Sequence, residues 1–235
     1  MLKDYIVVDL EMTGLNPKKD HILEIGAVKV KDKKVQSTFS GLICQETPLD
    51  ERIVQLTGIT DEMAASGGKL DETVSSFLEF AEDFIWVGHN VIFDYSFIKQ
   101  WEVNHRIKRT CHAVDTLKIA RKCLPKLEKK TLDFLCEYYK ISRTAKHRAL
   151  EDALANRTLY EILEENFAKQ EPGLFVEKEL QYKVKRQTPA TPRQTNYLKV
   201  IMEYHKIVPD VSIDQLSRSE ASRLTDRILR EHGRI

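Results

Sequence analysis

The stretch Tyr5-Ile-Val-Val-Asp-Leu-Glu-Met-Thr-Gly-Leu15 decides the fold, because a β-rich apolar run leads directly into a Thr-Gly turn. Such a run is typical of a buried strand. Side chains alternate across a strand, so Asp9 and Glu11 are expected on one face and Ile6, Val8 and Leu10 on the other. Two carboxylates at this spacing can share a hard cation, whereas an uncompensated buried pair would repel and raise a pKa. A strand end carrying two solvated acids is the alternative interpretation.

A third acid closes the stretch Phe84-Ile-Trp-Val-Gly-His-Asn-Val-Ile-Phe-Asp94. The pattern predicts an apolar strand that ends at Gly88, followed by a helix that begins near residue 91. A corner of this kind places polar groups at a sheet edge, where open α/β sheets commonly bind ligands. Asp94 falls in the first turn of the helix, where a favourable charge at the helix N-terminus is the alternative explanation.

The last two candidates lie in His147-Arg-Ala-Leu-Glu-Asp152, directly before and at the start of a long amphipathic pattern. Asp152 is expected early on that helix, and His147 in the loop before it. A mobile histidine beside carboxylates suits a general base that collects a proton from water. Taken singly, each of the two is more often an ordinary surface residue.

The three motifs occur in the order Asp-x-Glu-x-Thr-Gly, Gly-His-Asn-x-x-Phe-Asp and His-x-x-x-x-Asp-Ala. This conjunction resembles the DEDD exonuclease superfamily, specifically its histidine-bearing, DnaQ-like branch, which includes the proofreading epsilon subunit of bacterial DNA polymerase III. The segments 55–60, 114–117 and 131–136 match the same pattern. The resemblance covers residues 1–168 and shows no departure at the five active-site positions.

The resemblance implies two bound Mg²⁺ or Mn²⁺ ions, in agreement with the preference of hard ions for carboxylate oxygens. It implies that Asp9 bridges both ions and that Glu11 and Asp152 complete the ion holding the nucleophilic water. Asp94 would help hold the second ion, and His147 would deprotonate the water. The implied reaction releases nucleoside 5′-monophosphates one at a time from a 3′ end.

By the same similarity, five residues are candidates for contacts with the terminal sugar and base: Thr13, Leu15, Ile59, Asn90 and Phe93. Apolar or stacking contact with a base tolerates any sequence, because every base has a π-face. Ordinary core packing is the alternative for Leu15, Ile59 and Phe93.

Three functions remain open at this point. The leading one is a 3′–5′ exonuclease acting on single-stranded or frayed DNA, in proofreading or repair. The second is an exoribonuclease that processes RNA 3′ ends, since recognition of the 2′-OH depends on contacts that the sequence does not reveal. The third is a catalytically silent, polymerase-associated nucleic-acid-binding module, against which the complete acid set argues. A proofreading role would require a separate DNA polymerase as partner.

The fold class is predicted as α/β, a ribonuclease H-like mixed sheet flanked by helices, with a small C-terminal all-helical module. Strands are expected near residues 5–10, 22–31, 34–43, 84–88 and 110–114. Helices are expected near residues 71–82, 91–103, 115–123, 131–140 and 149–167. The first three strands should form an antiparallel meander, and the later strands should add in parallel.

Composition narrows the setting of the protein. No apolar run approaches the roughly 20 residues that span a bilayer, and the N-terminus lacks a secretory pattern. Four cysteines are scattered without Cys-x-x-Cys spacing, which indicates reduced thiols. A cytoplasmic protein without a membrane partner is therefore expected.

The C-terminal part of the chain differs in charge. Residues 1–168 contain 24 Lys or Arg against 27 Asp or Glu, whereas residues 169–235 contain 13 against 9. Proline and glycine residues, which interrupt helices, together with many charged residues indicate a linker over residues 169–190. Helix-start signatures at Thr191, Ser212 and Ser217 predict a helical module over residues 191–235. Two apolar stripes are expected to form its core: Tyr197, Val200, Ile201 and Tyr204, and then Ala221, Leu224 and Ile228.

A row of arginines accompanies the second stripe at steps of four, three and four: Arg223, Arg227, Arg230 and Arg234. On one helix these side chains would share a face. Such a ridge could follow the phosphates of a nucleic acid with an affinity that falls steeply with salt. A solvated face with Asp226 and Glu231 as intrahelical partners is the alternative.

Overall fold

A computed structural model describes residues 2–144, 147–184, 186–208 and 212–234. The chain divides into two compact units. The first unit comprises Met1–Glu102 and Lys108–Lys183, and the second comprises Val103–Ile107 and Val184–Ile235.

The first unit is built on a mixed sheet. Its strands in the described residues are β1 (Tyr5–Met12), β2 (Ile22–Lys31), β3 (Lys34–Leu42), β4 (Trp86–Gly88), β5 (His112–Asp115) and β6 (Lys178–Glu179). Their spatial order is β3-β2-β1-β4-β5-β6. The first three strands form an antiparallel meander, and β4 and β5 add in parallel, as predicted. The two-residue strand β6 pairs antiparallel with β5 and was not expected.

Helices flank this sheet. Up to residue 167 they are α1 (Glu51–Thr57), α2 (Asp61–Ala65), α3 (Leu70–Ala81), α4 (Ile92–Asn104), α5 (Thr116–Cys123), α6 (Leu132–Tyr139) and α7 (Ala149–Phe167). The last five agree with the sequence pattern to within two residues at each end. Helices α1 and α2 were missed because they are short, and each begins at a capping side chain, Asp50 and Thr60 respectively.

The alternation of side chains along β1 separates two cores. Ile6 and Val8 pack on one face of the sheet in a cluster that includes Trp86. Tyr5 and Val7 pack on the other face in the cluster that includes Tyr160 of α7. Asp9 and Glu11 lie on the same face of β1 as Tyr5 and Val7, so both carboxylates are on the side of the sheet that α7 covers.

Part of the predicted linker belongs to the first unit. Phe175 is buried against Tyr160, with ring centroids 6.3 Å apart, and Leu180 is buried in the other core. Between them, β6 extends the sheet. The linker prediction is wrong for these residues, because two isolated apolar side chains in a charged segment give no periodic signal.

The second unit contains α8 (Pro192–Tyr204), a short 3₁₀ turn (Ile213–Gln215) and α9 (Arg218–His232). Thr191 and Ser217 each form a complete capping box, as their signatures predict. The signature at Ser212 precedes only the 3₁₀ turn and makes no side-chain capping bond.

The core of this unit uses a different face of α8 from the one predicted. Tyr197, Val200 and Tyr204 are exposed, whereas Leu198 and Met202 are buried together with Ile201. Two apolar stripes overlap on this helix at steps of three and four, and the packed one is the more aliphatic. The stripe predicted on α9 is confirmed, since Ala221 and Ile228 are buried and Leu224 packs against the same cluster.

In the part of the chain that the structure describes, no helix is both long and apolar enough to cross a membrane. None of the four cysteines, all of which are described, forms a disulfide bond, and Cys111 and Cys136 are buried.

Candidate active site

Strand β1 carries the first two acids and is tied to the third. The backbone N–H of Leu10, between Asp9 and Glu11, donates to Oδ1 of Asp94 at 3.0 Å. Asp94 lies in the first turn of α4 and is buried. This bond fixes the start of α4 against the strand that bears the other carboxylates.

Gly26 of strand β2 allows the start of α7 to pack close to Asp9. Gly26 pairs with Asp9 in the antiparallel register. A Cβ on Gly26 would lie 2.1 Å from the carbonyl carbon of Ala149 and 2.2 Å from the nitrogen of Leu150. Only glycine therefore allows the first turn of α7 to pack directly on the strand.

Glu24 holds the same turn by hydrogen bonds and charge. Its carboxylate accepts from Arg148 Nε at 3.0 Å and Nη2 at 2.8 Å, and from the backbone N–H of Ala149 at 3.0 Å. Glu24 is buried and opposite Glu11 in the register, so this two-armed pairing compensates a carboxylate that would otherwise be isolated.

Gly26 and Glu24 were missed by the sequence analysis. The available signal was a Glu and a Gly at alternate positions inside the apolar run 22–28, because a charge there needs a partner and a glycine there marks a close approach. The partners lie more than 120 residues along the chain.

The geometry brings Glu11, His147 and Asp152 together. Each offers one ligand atom, and these atoms lie within 4.8 Å of one another. The backbone N–H of His147 donates to Asp152 Oδ2 at 3.2 Å, and His147 has a positive φ of 55°. Among the described residues, Asp9 and Asp94 fall outside this trio of ligand atoms, but their charges act on it.

The four acids are electrostatically frustrated as they stand. Burial, followed by the charge of Asp94, raises the pKa of Asp9 well above its ordinary range. Burial and the charge of Asp152 raise the pKa of Glu11 to about 8, and burial raises that of Asp94 to about 7. Burial also raises the pKa of Asp152, against hydrogen bonds that lower it. Such a group of carboxyls becomes stable in the ionised form only with added positive charge.

The candidates for nucleotide contacts are placed unequally. Leu15 is 79% exposed, an unusual position for a leucine, while Thr13 closes the loop behind it through two hydrogen bonds with the backbone of His21. Asn90 is exposed with φ 69°, and Phe93 is partly buried against Phe97.

Ile59 does not have the position predicted for a residue that contacts the nucleotide. It has no exposed surface and packs with Leu23 and Ala64, so it is a core residue that a nucleotide does not reach.

Three of the four ridge arginines lie on α9, and all three are exposed: Arg223, Arg227 and Arg230. Arg234 follows Gly233, where the helix ends, so it is not part of the helical face. Among the described residues, the structure shows no ion pair between these three and Asp226 or Glu231, so the intrahelical partners of the alternative interpretation are not observed there.

Comparison with known proteins identifies the family of the chain. The family described as Exonuclease matches residues 6–160. The epsilon subunit of DNA polymerase III from Aquifex aeolicus is 36% identical over 163 residues, covering 68% of this chain and 81% of that protein. The PolC-type DNA polymerase III of Caldanaerobacter subterraneus subsp. tengcongensis is 36% identical over 157 residues. That match covers 67% of this chain but only 11% of the polymerase, so the chain spans about a tenth of such relatives.

Among solved structures, the nuclease domain of 3′hExo, a DEDDh family member bound to rAMP, aligns with a TM-score of 0.58. It is 14% identical, and the alignment covers 70% of this chain and 93% of that one, which supports the fold. The sequence matches, the sheet order and the acid cluster agree with one another. The chain therefore belongs to the exonuclease family, as a DnaQ-like nuclease with a ribonuclease H-like fold.

Proposed function

We propose that this protein is a metal-dependent 3′–5′ exonuclease that hydrolyses single-stranded or frayed DNA and releases nucleoside 5′-monophosphates. The observation that carries the proposal is the convergence of Glu11, His147 and Asp152 within 4.8 Å, with Asp9 and Asp94 coupled to them by charge. The 3′ polarity and the preference for DNA come from the family and from relatives named as DNA polymerase subunits.

The donor set fits hard divalent cations. Burial raises the pKa values of all four carboxyl groups, and the charges of neighbouring acids raise those of Asp9 and Glu11 further. Added positive charge would offset this cost, and oxygen ligands favour Mg²⁺ or Mn²⁺. Asp9, Glu11, Asp94 and Asp152 would hold two such ions. When bound, two ions supply an activated water and stabilise the departing oxygen of the phosphodiester.

His147 is the proton acceptor in this proposal. Its side chain is 37% exposed, so it can exchange its proton with solvent between turnovers, and it lies beside two of the acids. We expect His147→Gln to lower kcat by about 100-fold or more, the usual contribution of general-base catalysis. Mn²⁺ affinity should change much less than kcat. An unchanged kcat would remove His147 from this role.

Leu15 is the residue best suited to contact the terminal base. It combines large apolar surface with exposure, in the loop that the hydrogen bonds between Thr13 and His21 close directly after the acid-bearing strand β1. Leu15→Ala should raise KM for an oligonucleotide about 10-fold, since stacking of a base on an aromatic side chain contributes about 1 to 3 kcal/mol and an aliphatic contact is expected at the lower end of that range. Leu56→Ala is a matched control, because Leu56 is also an exposed leucine of this unit.

The deciding experiment uses single strands of DNA and RNA labelled at the 5′ or the 3′ end, with Mg²⁺. Stepwise shortening of 5′-labelled DNA from the 3′ end, abolished in Asp9→Asn, is the expected result. Faster shortening of RNA would redirect the proposal to RNA processing. Internal cuts, or identical behaviour of Asp9→Asn and the unaltered protein, would refute it.

The arginine ridge of α9 is proposed as a second, nonspecific contact for the substrate backbone. A DNA polymerase is proposed as a separate protein partner if the chain acts in proofreading. Arg223, Arg227 and Arg230 carry exposed charges in a unit with a positive balance. Replacing all three with Gln should weaken binding of oligo-dT. The slope of log affinity against log salt should fall by about 0.7 per lost phosphate contact. Equal salt slopes would exclude the ridge.

A further inference from the structure

One arginine is built into the acid cluster itself. Arg143 follows α6, and its side chain is only 4% exposed. Nη1 donates to Asp152 Oδ1 at 2.6 Å, and Nη2 donates to Asp133 Oδ1. A fully charged guanidinium therefore sits on one of the four carboxylates proposed to bind the ions.

Both oxygens of Asp152 are engaged in this arrangement. Oδ1 accepts from Arg143, and Oδ2 accepts from the backbone N–H of His147 at 3.2 Å. A divalent ion that binds Asp152 meets a cation already on the carboxylate. At this separation, two like charges in a partly buried setting repel strongly.

Arg143 also forms an ion pair with a second carboxylate. Asp133 is 39% exposed and pairs with the other arm of the guanidinium, and its Oδ2 lies 3.7 Å from Nε2 of His147. When Asp152 is taken by an ion, Arg143 can keep Asp133 as its partner and is not left buried without a counter-charge. The arrangement therefore allows two states, one in which Arg143 contacts both Asp152 and Asp133, as in this structure, and one in which it contacts Asp133 alone.

We propose that Arg143 is an internal counter-cation of the metal centre: it holds Asp152 while no ion is bound and releases it when ions bind. This inference rests on the proposed function, because it assumes that Asp152 is a ligand. It assigns a positioning role to Arg143, which keeps the acid cluster folded and its acid-bearing helix start in place before metal arrives.

The sign of the effect on metal affinity separates this role from simple structural support. If Arg143 only held the ligand in position, its loss would weaken metal binding, as the loss of outer-shell partners usually does. If Arg143 competes with the ion, its loss strengthens binding. A charge-assisted hydrogen bond of this kind sets the scale of the gain at about 10-fold.

The test is calorimetric titration of Mn²⁺ into the full chain after removal of metal with EDTA. Arg143→Gln should bind Mn²⁺ about 10-fold more tightly than the unaltered protein and melt at a lower temperature without metal. With saturating Mn²⁺ the two proteins should melt at nearly the same temperature. Arg157→Gln is the control. Arg157 forms an ion pair with Glu161 farther along α7, the helix that carries Asp152, and the Mn²⁺ affinity of this variant should not change.

Equal or weaker Mn²⁺ binding by a folded Arg143→Gln would overturn the proposal and leave the proposed nuclease function intact. If the Gln variant does not fold, Arg143→Lys retains the charge but cannot reach both carboxylates with one ammonium. It should show a smaller gain in affinity, and no gain would overturn the proposal. Failure of the unaltered protein to bind Mn²⁺ would instead refute the metal dependence of the proposed function, and this inference with it.

Discussion

Gly26→Ala is the sharpest test of how the site is assembled. A Cβ at this position would lie 2.1 Å from the Ala149 carbonyl carbon, and ordinary contact begins at 3.4 Å. The first turn of α7 must therefore retreat by about 1.3 Å from β2. The retreat acts directly on the segment that carries His147 and Asp152, while Asp9 and Glu11 remain on β1.

The expected loss of activity exceeds the loss of stability. A misplacement of about 1 Å can cost about 100-fold in rate, so kcat should fall by at least that factor. Overpacking typically costs about 1 to 3 kcal/mol, which lowers Tm by roughly 6 °C in a protein of this size. Gly173→Ala is the matched control, because a Cβ there meets nothing within 4 Å, and it should leave both quantities unchanged.

The measurements are steady-state degradation of a labelled oligonucleotide with Mg²⁺, thermal melting, and far-ultraviolet circular dichroism to establish folding. A folded Gly26→Ala protein with kcat within threefold of the unaltered chain would refute the reasoning. It would mean that the α7 start can move without disturbing the site, and that Glu24 alone positions it.

Three further outcomes are expected. In EDTA, burial and the charge of Asp152 raise the pKa of Glu11 from 4.5 to about 8, so the contribution of Glu11 to stability is fully present below pH 4.5 and is lost as the pH rises through about 8, at a cost on the order of 3 kcal/mol. Urea melts should show stability falling between pH 5 and pH 8, and the slope should flatten in Glu11→Gln. Glu24→Gln removes the charge that holds Arg148, so it should cost about 2 kcal/mol and reduce kcat, and an unchanged kcat would contradict its positioning role. Leu198→Ala should destabilise the helical unit by about 3 kcal/mol without changing kcat on short oligonucleotides, because the acids all belong to the first unit. A matching fall in kcat would argue against that separation.

The sequence could predict those site residues whose position depends only on the secondary structure of their own segment. Asp9 and Glu11 stand on a strand that its own apolar pattern defines, and Asp152 stands on a helix that its own periodicity defines. Gly26 was not predictable in the same way, because its importance depends on the backbone of Ala149, which approaches only in the folded chain. Tyr197 shows a further limit: periodicity reveals that a helix has apolar faces, but packing decides which face is buried.

The distance along the chain between the two halves of the acid cluster governs when activity can appear during synthesis. Asp152 is added 141 residues after Glu11, which takes roughly 10 to 30 s at ordinary elongation rates. A chain that ends before residue 147 has Asp9, Glu11 and Asp94 but lacks His147, Asp152 and Arg148, the ion-pair partner of Glu24. A translation product that stops before residue 147 therefore lacks part of the acid cluster, and the proposed nuclease should become active only after α7 has packed on the sheet.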